Sequence, residues 1–230
     1  MNLAREPTTL FLDASTENAE INQLQEVKKR RILILFAHPS LDRSEVNRPM
    51  MEATVCLDGV TLVDLYATYP DLAIDIDLEQ SRLLEHEVVV FMHPLYWYST
   101  PSILKEWQDL VLEHGFAYGS QGTALHGKIF FNALTAGGSE AAYCAEGSNH
   151  FTIRELLRPM EQMALLCGMI YLPPFALFGA RMAVEEGRLE THLTDWFRLL
   201  EALREDCLDI EVARKLPRLN IHLDTLIRKG

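Results

Sequence analysis

The sequence predicts an α/β fold: a five-stranded parallel sheet in the order 2-1-3-4-5, with helices on both faces. Three observations predict it. Five short apolar runs of strand length recur along the chain. Segments with apolar residues at helical spacing separate them. The chain has 230 residues, nearly half of them apolar, enough for one sizeable core. Alternating strand and helix is the pattern of a parallel sheet covered on both sides. Right-handed crossovers leave few topologies, and 2-1-3-4-5 is the common order for five such units.

The regular pattern starts at Ile32. "ILILFA", Ile32 to Ala37, is a continuous apolar run and predicts a strand buried on both faces. The polar loop "HPSLDRSEVN" follows, and "RPMMEATVCL" reads as a helix whose start Pro49 constrains. "VTLVDL", Val60 to Leu65, is the second strand, followed by a helix around Leu78–Leu84. "EVVVFMH" is the third strand. "PSILKEWQDLVLEHG" is a helix with Thr100 as N-cap and Pro101 at its first position. Its apolar residues Ile103, Leu104, Trp107, Leu110 and Val111 recur at spacings of three and four. "KIFFNALT" is the fourth strand. "TIRELLRPMEQMALLCGM" is helical but interrupted at Pro159, which lacks a donor and clashes with the preceding turn. "IYLPPFALFG" gives one short fifth strand, and an amphipathic helix runs from Glu190 to Cys207. The expected organisation is an N-terminal extension over 1–30, with a short helix from Glu17 to Lys28, a folded domain over 31–206 and a C-terminal tail over 207–230.

Composition excludes several classes of function. The net charge of -12 argues against a nucleic-acid partner, which would select basic clusters. The longest apolar runs are too short to span a bilayer, and no basic segment followed by an apolar one predicts a signal peptide. Cys56, Cys144, Cys167 and Cys207 form no Cys-x-x-Cys pair, so zinc and thiol-redox chemistry are disfavoured. Cys56 and Cys167 fall in apolar helical patterns and are expected to be buried thiols. These signs favour a reducing, cytoplasmic setting. No metal spacing and no Gly-x-Ser-x-Gly elbow occurs.

In such a sheet the ligand crevice lies at the C-terminal strand ends, where three loops meet. The first has neither Gly-x-Gly-x-x-Gly nor Gly-Lys-Ser/Thr, which disfavours a Rossmann or ATP site. Ser44 and Asn47 fall just before or within the first helical turn, where free N–H groups attract a phosphate, and His38 and Arg48 add donors; a plain capping loop is the other reading. The second, "HPLYWYSTP", carries Leu95, Tyr96, Trp97 and Tyr98. Three consecutive rings cannot all face one way, so they either cover the core or meet a flat ligand. The third has Thr135, Ala136, Gly137 and Gly138, where paired glycines allow positive φ and close approach of a ligand, or simply a turn. Tyr143 and His150 follow as possible proton donors, although a lone histidine is more often a surface residue. A planar, phosphate-bearing cofactor fits the three loops, and FMN is the small one.

"ILILFAHPSLDRSEVN", "DLYATYPDLAIDI", "HPLYWYSTPSILKEWQDLVLEHGFAYG", "TALHGK" and "LTAGGSEAAY" together resemble the flavodoxin-like NAD(P)H:quinone oxidoreductases. Within them the likeness is greatest to the ancillary flavoproteins of glutathione-gated potassium efflux systems. The resemblance covers about residues 31–180. It implies a flavodoxin-like fold and a bound FMN, in preference to FAD. It also implies a homodimer with NAD(P)H dehydrogenase (quinone) activity, by two-electron ping-pong hydride transfer through the flavin N5. By that likeness His38 and Ser44–Asn47 hold the phosphate region, Leu95–Tyr98 line the isoalloxazine, and Thr135–Gly138 form the other wall. Tyr143 matches a tyrosine beside the flavin. The family histidine falls one position before His150, at Asn149. A membrane potassium efflux protein is the implied partner, which would bring the chain to the inner face of the cell membrane.

Overall fold

The computed structural model describes residues 29–228. The helix expected over Glu17–Lys28 and most of the expected extension lie outside the described residues.

A parallel sheet forms the centre. Its strands are β1 (Ile32–Phe36), β2 (Val60–Asp64), β3 (Val88–Pro94), β4 (Ile129–Thr135), β5 (Ile170–Tyr171) and β6 (Phe175–Leu177). The order is β2-β1-β3-β4-β5, as the sequence predicts, with β6 also pairing with β4. All five residues of β1 are fully buried, because helices cover both faces of a parallel sheet. Alternate side chains therefore enter different cores. Leu33 and Leu35 point to one, and Ile32, Ile34 and Phe36 to the other.

The fifth strand departs from expectation. "IYLPPFALFG" gives two short strands, not one, with Leu172, Pro173 and Pro174 between them. β5 pairs Ile170 with Ile129, and β6 pairs Phe175 with Ala133. The two prolines have no N–H to give the ladder, so pairing stops and resumes one residue out of step. The outer edge of β6 is then closed by a side chain. Asn220 Nδ2 donates to the Ala176 carbonyl at 2.9 Å, and the Ala176 amide donates to Asn220 Oδ1 at 3.3 Å. One amide side chain thus stands in for a neighbouring strand and blunts the edge.

The first face is covered by α3 (Ile76–Glu85), α4 (Ser102–Val111), α5 (Ile153–Leu156) and α6 (Arg158–Leu166). The second is covered by α1 (Asn47–Val55) and α7 (Arg188–Arg204). α2 (Leu65–Thr68) follows β2, and α8 (Ile210–Ala213) and α9 (Leu223–Leu226) lie in the C-terminal stretch. Residues 207–228 do not stand apart: Leu208, Ala213, Leu219, Leu223 and Leu226 are buried in the second core. Trp196 Nε1 donates to Thr54 Oγ1 at 2.9 Å and fixes α7 against α1.

Local chemistry sets the helix ends. Asp75 accepts from the Leu78 amide at 3.0 Å, and Thr152 with Glu155 forms a reciprocal capping box. The break expected at Pro159 appears at Leu157, which separates α5 from α6 and leaves Pro159 in the first turn of α6. α4 begins one residue later than expected, with Pro101 as its N-cap and not Thr100. Cys167 is buried as expected, but Cys56 is exposed. The buried face of α1 runs through Asn47, Met50 and Thr54, and Cys56 sits past the helix end, off that stripe. No helix among the described residues is long and apolar enough to cross a membrane.

Candidate functional site

The three predicted loops meet at the C-terminal ends of β1, β3 and β4. One cavity of about 510 Å³ is lined from all three: His38, Ser44–Asn47, Leu95, Tyr96, Thr135 and Gly137. A second of about 320 Å³ adjoins it across Leu95 and the glycine pair, lined by Trp97, Tyr98, Gly138, Tyr143 and Asn149. Both volumes lie in the range of small-molecule sites.

The first loop is a hydrogen-bonded cradle. Asn47 opens α1 and is buried. Its amide donates to Ser44 Oγ at 2.9 Å, and its Nδ2 donates to Ser44 Oγ at 3.1 Å and Thr135 Oγ1 at 3.0 Å. This ties the loop after β1 to the end of β4. Among the described residues, the Glu45 and Val46 amides join no hydrogen bond of the loop. They stand at the positive end of α1, where an anion is favoured. His38 is buried, and its Nδ1 accepts from the Ser40 amide at 3.1 Å. That bond leaves the neutral ring's proton on Nε2, a spare donor. Burial holds the His38 pKa below the usual histidine value, against small opposing contributions from its backbone bond, Asp64 and Asp42.

The second loop is built differently. Tyr96 and Ser99 exchange both backbone hydrogen bonds, at 3.1 and 3.0 Å. Trp97 and Tyr98 between them have φ of 49° and 63°. That is a primed turn, in which both central residues take the left-handed region. Glycine and asparagine are the usual occupants; a tryptophan and a tyrosine there cost about 1–2 kcal/mol each. The core does not repay this strain, because Trp97 is 94% exposed. The three rings diverge: Tyr96 packs edge-on to His38 at 6.1 Å, and Tyr98 Oη donates to Asn149 Oδ1 at 3.1 Å. The Leu95 amide donates to the Thr135 carbonyl at 2.8 Å and joins this loop to the next.

In the third loop the glycines act otherwise than expected. Neither Gly137 nor Gly138 has positive φ. Gly138 sits in a close approach: a Cβ there would lie 3.2 Å from Tyr143 Cε2, so a side chain would press on the tyrosine ring. Gly137 faces open space, and its backbone lines the larger cavity. Ala136 lines neither cavity. It is fully buried, with its amide donating to the Leu177 carbonyl at 2.8 Å and its carbonyl accepting from Ala180 at 3.0 Å. Its role is to weld this loop to the β6 loop. Tyr143 packs on Phe178 at 5.3 Å, and burial together with nearby Tyr98 raises its hydroxyl pKa.

His150 is exposed and lines neither cavity; Asn149 faces Tyr98 and Gly138 instead. Sequence reading missed Arg181, which lines the larger cavity from the loop after β6. A basic residue directly after the fifth strand, in "ALFGAR", was the available signal. It also missed the support beneath the aromatic turn. His93 is fully buried, with Nδ1 bonded to the Pro94 carbonyl and Nε2 accepting from Asn132 Nδ2, both at 3.0 Å. Burial presses its pKa to about 4, so it is neutral at ordinary pH.

Known proteins share this framework. A family model described as a flavodoxin-like fold matches residues 30–200. The glutathione-regulated potassium-efflux system ancillary protein KefG of Serratia proteamaculans is 46% identical over 171 residues, 73% of this chain and 93% of that protein. General stress protein 14 of Treponema denticola, solved in complex with FMN, is 37% identical with a TM-score of 0.71 over 75% of this chain and 99% of that one. An NADPH-quinone reductase from P. pentosaceus is 33% identical with a TM-score of 0.62, over 71% and 96% of the two chains. With residues 30–200 matched by the family model, this chain belongs to the flavodoxin-like fold family.

Proposed function

We propose that the protein is an FMN-dependent NAD(P)H:quinone oxidoreductase. The observation that carries the reading is the convergence of three loops on one cavity with an anion cradle at one end. The residues fit FMN. Free Glu45 and Val46 amides, the Ser44 hydroxyl and His38 Nε2–H would hold the phosphate. The turn at Leu95–Tyr98 and the backbone of Thr135, Gly137 and Gly138 would flank the ring, with Tyr143 and Asn149 at the exposed side. Bound there, FMN supplies two-electron transfer from NAD(P)H to a quinone. The Trp97, Gly137 and Gly138 amides, which take no part in the backbone bonds of the described loops, are donors for charge that grows on a reduced ring. The exposed rings would limit water at that face, and the Tyr143 hydroxyl would hold a proton beside it. The likeness to an FMN-bound relative and to an NADPH-quinone reductase supports this assignment.

The test is an absorption spectrum of the purified chain, then anaerobic addition of NADH or NADPH, then a quinone. Flavin bands that bleach and return are the expected result. Protein that stays colourless after incubation with FMN, or bands that neither nucleotide bleaches, would overturn it.

A second reading is favoured by the 46% identity to KefG: a cytoplasmic ancillary subunit of a potassium efflux transporter, with the flavin structural or sensory. The two readings are compatible. Co-purification with an efflux transporter from membranes, compared with membranes lacking it, tests the second one.

A further inference from the structure

A third cavity, of about 810 Å³, lies on the other side of the 137–140 loop. It shares Gly137 with the cradle cavity, and its wall Phe178 is the ring on which Tyr143 packs. It is bounded by β6, the start of α7 and the segment around Arg218.

Its polar groups divide by how much bonding capacity they have already used. Arg188 is committed: Nε donates to Glu186 Oε2 at 2.7 Å, Nη1 to the Phe178 carbonyl at 2.8 Å, and Nη2 to the Gly179 carbonyl at 3.1 Å. Asn220 is committed to Ala176. Arg218 is not. A guanidinium has five N–H donors, and among the described residues it makes a single hydrogen bond, to Glu140 Oε1 at 2.6 Å. It is mostly buried and lies over the Phe178 ring at 5.5 Å. His192 is 4% exposed, and neither of its ring nitrogens has a hydrogen-bond partner among the described residues; Nε2 is fully shielded. Shielded in this way, Nε2 is out of a ligand's reach, and Nδ1 is the ring nitrogen that one in the cavity could meet. Thr191 and Asp195, one turn apart on α7, line the same space.

We propose that this cavity receives the adenosine-diphosphate half of the nicotinamide dinucleotide. The inference rests on reading the three-loop site as a flavin-dependent NAD(P)H oxidoreductase. Diphosphate oxygens are acceptors and match the unused donors of Arg218. Ribose hydroxyls are donors for Asp195, and the Thr191 hydroxyl can pair with either kind of group. Adenine is flat and edged with both donors and acceptors, suited to the apolar wall of Leu177, Phe178 and Met182 and to His192 Nδ1. The two ends of one dinucleotide would then lie on opposite sides of the 137–140 loop.

FAD carries the same diphosphate half, so the flavin is identified first, by chromatography after release from the protein. FMN leaves this cavity to the substrate; FAD would assign it to the cofactor and overturn the inference. The FMN-loaded full chain is then titrated calorimetrically with ADP-ribose, which lacks the nicotinamide. We expect saturable binding that NAD(P)H competes away. Arg218→Ala should weaken it at least tenfold, Glu140→Gln should tighten it by releasing Arg218, and Lys105→Ala, at an exposed position of α4, should leave it unchanged. Absence of ADP-ribose binding, or equal affinity in the unsubstituted chain and Glu140→Gln, overturns the inference even if Arg218→Ala does not fold. Flavin that bleaches normally in a chain that ignores ADP-ribose defeats the cavity assignment alone. Flavin that neither nucleotide bleaches defeats the oxidoreductase reading and this inference with it.

Discussion

The loop after β1 and the loop after β3 stand at the same end of the same sheet and are built by opposite means. The first is held by hydrogen bonds that leave its anion donors free: Asn47 is buried and bonded to both Ser44 and Thr135, while the Glu45 and Val46 amides stay open. The second exposes its apolar groups and strains its backbone, with Trp97 and Tyr98 at positive φ. A cradle for a phosphate must hold donors still before the charge arrives, so it is fixed by hydrogen bonds. A wall for a flat ring needs a set backbone and open side-chain faces, so its shape comes from a turn and its contacts stay unfilled. Strain kept at a site without a folding benefit is a mark of use.

Acid should break the comparison most strongly. The turn rests on neutral His93, whose pKa is pressed from the usual 6.5 to about 4 by burial. His192 is likewise pressed to about 4, by burial and then by Arg188 and Arg218. Between these values the unfolded chain takes up protons that the native chain refuses. Stability is therefore full above pH 6.5, falls as pH drops toward 4, and falls no further from this cause below that. Each group is worth up to about 3 kcal/mol. Thermal melts across that window read the loss, and His93→Gln should remove the His93 share of the pH dependence, leaving that of His192, His38 and His86. Equal slopes in the two proteins would show that His93 does not titrate as described.

Next in size is Asn47→Ala. It leaves Thr135 and Ser44 without their buried partner, a cost of about 1–3 kcal/mol. Under the proposed assignment FMN affinity falls by about tenfold or more, read by quenching of flavin fluorescence. Trp97→Gly should act in the other direction on stability. It removes a left-handed tryptophan that contacts almost nothing and raises the unfolding free energy of the flavin-free chain by about 1 kcal/mol. A denaturant titration showing a loss would mean the turn is not strained. The smallest effects sharpen the edge of the site. Asn149→Ala removes the partner of Tyr98 and should lower kcat/KM for NAD(P)H by about threefold to tenfold. His150→Ala should change stability by less than about 0.5 kcal/mol and leave turnover unaltered. The reverse ranking would return the proton relay to His150.

The strands and the cradle were legible because each is written in neighbouring residues. "ILILFA" reads as a doubly buried strand, and Ser44 and Asn47 read as a helix entrance. The divided fifth strand was visible in its two prolines, yet reads naturally as one element, because only the ladder with β4 reveals the lost step. The glycine pair was found for the wrong reason. Its use depends on how close Tyr143 folds back, and φ is not set by the dipeptide alone. Asn149 and His150 are adjacent in sequence, and the turn ending there decides which one faces the cavity.

The sequence by itself determined the alternation of strand and helix and the loops that end the strands, because periodicity, apolar runs and loop chemistry are local and repeat over many residues; it made the 2-1-3-4-5 order the expected one, and the pairing of distant strands fixed it. The tertiary structure alone decided which polar groups were left over. Whether His192 has a partner, whether Arg218 has donors to spare, and whether Asn220 replaces a strand depend on segments far apart in the chain. Hydrogen bonding is short-ranged and directional, so only the folded distances settle it.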